Sequence, residues 1–83
     1  MTFRILYFAS AAAYTKKSFD LLESPMLLSE LFDTLERMYP GIKEKVLKSC
    51  LVTIDLEYAD LHGERRVLAE GMEVAIIPPV SSG

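Results

Sequence analysis

An α+β roll is the fold class this sequence predicts, with one main helix packed across a mixed sheet of about five strands. Three observations predict it. Segments dense in β-branched and aromatic residues recur near the start, the middle and the end of the chain. One strong apolar repeat at helical spacing stands between the first pair of strands and the rest. No internal repeat, low-complexity tract or linker divides the 83 residues. A chain of this size supports one core and buries about 60% of its unfolded surface, so a large enclosed substrate cavity is not expected.

The first strand is Phe3-Arg4-Ile5-Leu6-Tyr7-Phe8, bounded by the alanine and serine stretch that begins at Ala9. Residues 18–23 return as its hairpin partner. Their connection over residues 9–17 is longer than a tight turn and has room for a short helical piece or for surface-presented residues. Ser24-Pro25 marks a boundary. Beyond it Leu28, Leu31, Phe32, Leu35 and Met38 recur at helical spacing, with Glu30, Asp33, Glu36 and Arg37 on the opposite side. Pro40-Gly41 ends this helix, because proline lacks an amide hydrogen and restricts the residue before it. Residues 42–49 have the length of a second, shorter helix.

Residues 51–57 read as one strand with Val52, Ile54 and Leu56 on the face that meets the helix. His62-Gly63 then reads as a turn and Arg66-Val67-Leu68 as a short edge strand. Glu70-Gly71-Met72-Glu73 is a second turn, feeding a last strand over residues 74–77. In the resulting roll the first and last strands lie side by side at the centre of the sheet.

Composition narrows the function. Hydrophobic residues make up 51% of the chain, which is rich for so small an interior, and the excess is either a well-filled core or surface intended for a partner. Twelve acidic against nine basic residues give a formal charge of -3, which argues against a nucleic-acid footprint and suits a basic partner surface. The single Cys50 cannot form an internal disulfide and reads as a reduced core thiol, so a cytosolic address is expected. The opening apolar stretch, interrupted by Arg4, lacks the pattern of a secretion signal, and no run has the length of a membrane span.

Catalytic constellations are missing from the sequence. His62 is the lone histidine and there is no cysteine pair, so no metal site is expected. The glycines at 41, 63, 71 and 83 are scattered, which excludes a phosphate-cradling loop. No nucleophile-elbow sequence surrounds any serine. Glu57 and Asp60 form a carboxylate pair around a turn, but such pairs are usually solvated. Lysines at 16, 17, 43, 45 and 48 and Arg65-Arg66 are interspersed with acids and read as ordinary surface charge.

What remains unusual is the end of the sequence. An apolar strand runs into Pro78-Pro79, followed by Val80, Ser81, Ser82 and Gly83. The strand fixes where the tail begins and the prolines stiffen its exit. Glycine offers an α-carboxylate with no side chain beside it, a suitable group for threading into another protein's narrow active site. The alternative is a terminus without a role.

Leu6-Tyr7-Phe8-Ala9, residues 51–57, and above all the run from Glu70 through Val80 resemble the MoaD-type sulfur-carrier proteins, the small subunits of molybdopterin synthase. Glu57-Tyr58 followed by a turn and by Arg66-Val67-Leu68 is similar to the eukaryotic members. The resemblance spans essentially the whole chain. It implies the ubiquitin-like β-grasp fold and a single sulfur-carrier domain over residues 1–83, with a flexible tail over residues 79–83.

The same resemblance implies a cycle in molybdenum cofactor biosynthesis. A ubiquitin-activating-like adenylyltransferase and sulfurtransferase adenylates the carboxylate of Gly83 with ATP, and sulfur transfer gives a thiocarboxylate. No cofactor is stably bound; the glycyl-adenylate and the thiocarboxylate are covalent states of Gly83. The tail enters the large synthase subunit, where sulfur passes to cyclic pyranopterin monophosphate and builds the molybdopterin dithiolene. The chain is then not catalytic alone, and the assembly is a heterotetramer of two small and two large subunits, without nucleic acid or membrane. By position, Phe8, Tyr58 and Ile77 match family sites that present apolar side chains to partners, with Phe8 and Ile77 equally readable as core residues and Tyr58, next to a turn, as exposed; Pro78, Pro79, Val80, Ser81 and Ser82 match the inserted segment.

One departure stands out, because the family ends in Gly-Gly and here the penultimate residue is Ser82. Its side chain adds bulk and disfavours positive φ. A tolerated natural residue, an introduced one and a degenerate carrier all fit the departure, and the small size of serine favours retained function. Two other classes share the same activation chemistry: a ubiquitin-like modifier forming isopeptides with lysine, and a sulfur carrier of the thiamin pathway. A plain interaction module would not need Gly83.

Overall fold

The computed structural model describes residues 1–59 and 66–79. Its main sheet has five strands in the order β2-β1-β7-β4-β5, formed by β1 (Thr2–Tyr7), β2 (Phe19–Glu23), β4 (Leu51–Ile54), β5 (Glu57–Tyr58) and β7 (Glu73–Ile77). β1 and β7 run parallel, with Ile5 beside Val74 and Leu6 beside Ala75, and every other pairing in the sheet is antiparallel. The first and last strands are therefore neighbours at the centre, as the pattern of the sequence predicts.

Alternation along the strands divides the sheet into two faces. Phe3, Ile5 and Tyr7 of β1, Val52 and Ile54 of β4, and Val74 and Ile76 of β7 are buried in one core. That core is closed by α2 (Leu28–Met38), which contributes Leu28, Leu31 and Leu35. Glu30 supports the start of α2 by accepting a hydrogen bond from the Leu27 amide at 3.1 Å, satisfying one of the amides left unpaired near a helix start. Phe32 packs partly against the core, whereas Met38, expected on the core side, is 40% exposed because the helix ends there.

The connection after β1 is helical, α1 (Ala9–Thr15), and it buries Ala11 and Thr15. Residues 42–49, expected as one helix, divide into α3 (Ile42–Lys45) and a 3-10 turn over Leu47–Ser49, broken where Val46 leaves helical geometry at φ -125°. Ile42, Val46, Leu47 and Cys50 still reach the core, so burial of these apolar groups is kept while the backbone bends.

Two expectations about strands are corrected. Residues 51–57 do not form one strand, because β4 ends at Ile54 and Asp55 and Leu56 both take positive φ, 50° and 72°. The chain reverses there and returns as β5, with Thr53 paired to Tyr58 and Ile54 to Glu57. Leu56 consequently does not share the face of Val52 and Ile54. Arg66-Val67-Leu68 is not an edge of the main sheet: β6 (Val67–Leu68) pairs with β3 (Met26–Leu27) in a separate two-stranded sheet, and Leu68 is buried. The Leu28 amide donates to the Arg66 carbonyl at 2.8 Å, which ties this small sheet to the start of α2. The expected turn at His62-Gly63 lies outside the described residues. Among the described residues, no helix is long and apolar enough to cross a membrane.

Candidate functional site

Among the described residues no helix covers the face of the sheet opposite α2, and its strands carry apolar side chains there. Register fixes a row across four strands: Leu6 stands beside Ala75, Ala75 opposite Thr53, and Thr53 opposite Tyr58. A second row pairs Leu51 with Ile77. Small residues, Ala75 and Thr53, occupy the middle of the first row, so the larger side chains around them enclose a shallow cavity of about 180 Å³. Phe8, Leu56, Tyr58 and Ile77 all line it.

The resemblance proposed Phe8, Tyr58 and Ile77 as partner-facing residues. They converge on this one cavity, with Phe8 46% exposed, Tyr58 73% exposed and Ile77 half-buried. Pro78, which follows β7, is buried, and Pro79 is exposed. Val80, Ser81, Ser82 and Gly83 lie outside the described residues. Sequence reasoning missed Leu6, Thr53, Ala75 and Leu56. The first three were signalled by alternation, since they flank core positions by one residue; Leu56 carried the opposite signal, because alternation from Val52 and Ile54 pointed it inward.

At the rim, Arg4 pairs with Glu73 at 3.6 Å and stacks over the Phe19 ring at 5.8 Å from its centroid. The exposed Phe19 and Leu21 of β2 extend the apolar character of this face beyond the cavity, since Leu6 pairs with Phe19 and Arg4 with Leu21. Both members of the Arg4 and Glu73 pair are substantially exposed, so the pair does more for local charge pattern than for stability.

The other polar cluster is on the core side and has a structural role. Asp20 accepts hydrogen bonds from Tyr7 Oη at 2.9 Å and Tyr39 Oη at 2.5 Å, and pairs with Lys17 at 3.2 Å. Burial acts to raise the Asp20 carboxyl, but the two tyrosine hydroxyls and the lysine outweigh it and hold the group below its ordinary value. Burial, followed by the bond to Asp20, raises the Tyr7 hydroxyl well above the usual tyrosine range. The Tyr7 and Tyr39 rings meet edge to face at 6.2 Å, so the cluster joins β1, β2 and the chain after α2.

Among the described residues no cluster of side chains is arranged for acid-base or nucleophilic catalysis. Burial pushes the Cys50 thiol up to about 11, and it donates to the Leu47 carbonyl at 3.3 Å, so it is a protonated core group at neutral pH. No group of three or more metal-ligating side chains occurs among the described residues. Asp60 lies outside them, so the expected carboxylate pair with Glu57 has no described geometry. A larger open hollow of about 860 Å³ runs along α2 and residues 41–50, crossed by the Lys43 and Asp33 pair at 2.6 Å. It shares no lining residue with the cavity on the sheet face.

Comparison with known proteins agrees with this architecture. The family model described as the ThiS family matches residues 5–83. The chain is 58% identical to a molybdopterin synthase sulfur carrier subunit of Phaeosphaeria nodorum, covering 98% of this chain and 90% of that protein. The structure superimposes on the crystal structure of SAMP1 from Haloferax volcanii with a TM-score of 0.82 at 22% identity, covering all of both chains. A chain of the protein-protein complex of subunits 1 and 2 of the molybdopterin-converting factor from Helicobacter pylori matches with a TM-score of 0.68 at 22% identity, covering all of this chain and of that one. These structural likenesses establish the fold, an α+β fold shared with the β-grasp proteins. On the family match and the near full-length identity, the chain belongs to the ThiS family, among relatives that are sulfur carrier subunits of molybdopterin synthase.

Proposed function

We propose that this chain is the sulfur-carrier subunit of a molybdopterin synthase, acting in molybdenum cofactor biosynthesis, and that Gly83 is the group that carries sulfur. The observation that carries the reading is the 58% identity, over 98% of this chain, to a protein of that name. The site geometry supports it, because the apolar cavity of the open sheet face ends at Ile77, directly where the segment toward Gly83 begins. Likeness to archaeal proteins of the same shape concerns the fold, whereas the high identity goes with sulfur carriers.

The chemistry follows from what a carboxylate lacks. It is a poor electrophile, so a carboxylate oxygen of Gly83 first attacks the α-phosphorus of ATP on a ubiquitin-activating-like enzyme, and pyrophosphate leaves. A sulfur nucleophile then attacks the acyl carbon of the glycyl-adenylate and AMP leaves, so that a carbon-sulfur bond replaces a carbon-oxygen bond. The thiocarboxylate delivers its sulfur to cyclic pyranopterin monophosphate in the large subunit, and water restores the carboxylate. Catalytic groups for these steps belong to the partners. Phe8, Tyr58 and Ile77 dock against the large subunit, and residues 78–82 guide Gly83 to its active site. Pro78 and Pro79 restrict the chain before docking and so limit the entropy lost on insertion. The complete synthase pairs two copies of this chain with two large subunits.

The test uses the thiocarboxylated chain, the large subunit and cyclic pyranopterin monophosphate. Molybdopterin forms with the full chain, and a chain lacking Gly83 still binds the large subunit but yields no product. Product formation by the truncated chain would overturn the reading.

A further inference from the structure

Leu56 is 86% exposed, the highest value among the large hydrophobic residues described as exposed, and it holds a backbone conformation that leucine rarely adopts. It is the second central residue of the two-residue turn between β4 and β5, at φ 72°, a place where glycine normally stands because a side chain crowds its own carbonyl there. Asp55, at φ 50°, is a residue type that tolerates the first position. The turn is also braced from outside. The Asp55 amide donates to the Glu73 carbonyl at 2.8 Å, and Asp55 Oδ1 accepts from the Glu73 amide at 3.0 Å. An apolar side chain is thus displayed in water on a strained backbone, at the rim of the cavity that Phe8, Tyr58 and Ile77 also line.

Neither burial nor local propensity accounts for leucine at this position. Core packing would turn it inward, and turn chemistry would select glycine or asparagine. Strain kept at an exposed, apolar, externally braced position is characteristic of binding sites, where stability is given up for contact. We infer that Leu56 is an anchor of the interface with the large synthase subunit, and that Asp55 is a positioning residue which aims it by holding the turn against β7. This rests on the carrier reading above and adds to it a residue outside the set that the resemblance supplied.

The large subunit is the occupant rather than the activating enzyme. A stoichiometric subunit must stay bound through sulfur transfer, and lasting interfaces rely on buried apolar anchors more than passing encounters do. Continuity on the sheet supports the same choice, since Leu56 and Ile77 line one cavity and Ile77 immediately precedes the segment that enters the partner.

The experiment titrates the purified large subunit with the full chain, Leu56→Gly, Asp55→Ala and Asp55→Asn, and records the thermal midpoint of each. Leu56→Gly is expected to melt at or above the parent temperature, since glycine relieves the positive φ, while its affinity falls at least about tenfold. Asp55→Ala is expected to weaken binding as well, and Asp55→Asn to recover most of it, because its amide oxygen can still accept from Glu73. If the parent chain binds and Leu56→Gly binds equally well, the anchor role is overturned and the carrier reading stands. If the parent chain does not bind the large subunit, the carrier reading itself fails and the inference falls with it.

Discussion

Asp55 and Glu73 are joined by two hydrogen bonds, from the Asp55 amide to the Glu73 carbonyl at 2.8 Å and from the Glu73 amide to Asp55 Oδ1 at 3.0 Å. This couples the turn between β4 and β5 to the first residue of the strand that leads to the tail. The open face is therefore assembled from segments far apart in sequence. Its apolar members, Phe8, Leu56 with Tyr58, and Ile77, come from three places in the chain and meet only when β1 and β4 are registered on β7 and β5 on β4.

Tyr58 tests whether this face binds without also supporting the fold. Its side chain is largely in solvent, so Tyr58→Ala is expected to change folding stability by less than about 0.5 kcal/mol in urea denaturation. The same substitution is expected to weaken association with the large subunit by about 1–3 kcal/mol, measured by titration calorimetry. A fall in stability with unchanged affinity would place Tyr58 in the fold and not in the interface.

The Asp20 cluster predicts an acid limb in the stability curve. Because the folded Asp20 carboxyl lies below its ordinary value, its contribution is full above the unfolded carboxylate range near ~4 and is lost as pH falls through the folded value. Tyr7 acts in the opposite direction. Its folded value is raised, so its contribution is full below the unfolded tyrosine value near ~10 and is lost as pH rises beyond it. Asp20→Asn is expected to remove about 1–3 kcal/mol at neutral pH and to flatten the acid limb in denaturation curves recorded at several pH values. An unchanged acid limb would show that other carboxylates set it.

Gly41 tests the junction between α2 and α3. It sits at φ 93°, and a Cβ added there would come within 2.5 Å of Tyr14 Oη, whose hydroxyl donates to the Pro40 carbonyl at 2.6 Å. Gly41→Ala is expected to destabilise the chain by about 1–3 kcal/mol through strain and crowding together. Removing the hydroxyl with Tyr14→Phe in the same chain is expected to recover part of that loss, and denaturation of the double variant measures the recovery. Complete additivity of the two substitutions would mean that backbone strain at Gly41 acts alone.

Much of the fold was legible because local pattern and burial agree. Phe3 and Ile5, Leu28, Leu31 and Leu35, and Val74 and Ile76 are spaced at their element's own period, and all are buried. The break at Asp55-Leu56 was not legible, because the run from Leu51 to Glu57 keeps alternating through the turn and contains no glycine. What bends the chain there is the pair of bonds to Glu73, which local sequence does not display. Pairing of β3 with β6 was hidden for a similar reason, since two residues on each side carry little pattern and the contact spans much of the chain. In the candidate site, Phe8, Tyr58 and Ile77 came from family resemblance, while Leu6, Thr53 and Ala75 become readable once the buried face of each strand is known. The tail from Val80 to Gly83 lies outside the described residues, and its proposed chemistry rests on the order of its residues and on the resemblance.

The central claim is that Gly83 is the sulfur-bearing group, and intact-protein mass spectrometry tests it most directly. The chain is incubated with its activating enzyme, ATP and a sulfur donor, and the modified mass is localised by fragmentation. The account predicts a gain equal to the replacement of one oxygen by one sulfur, carried by Gly83, with Ser82 in place. An unchanged mass, under conditions in which a Ser82→Gly control is converted, would contradict it and assign this chain the fold of a carrier without the activity.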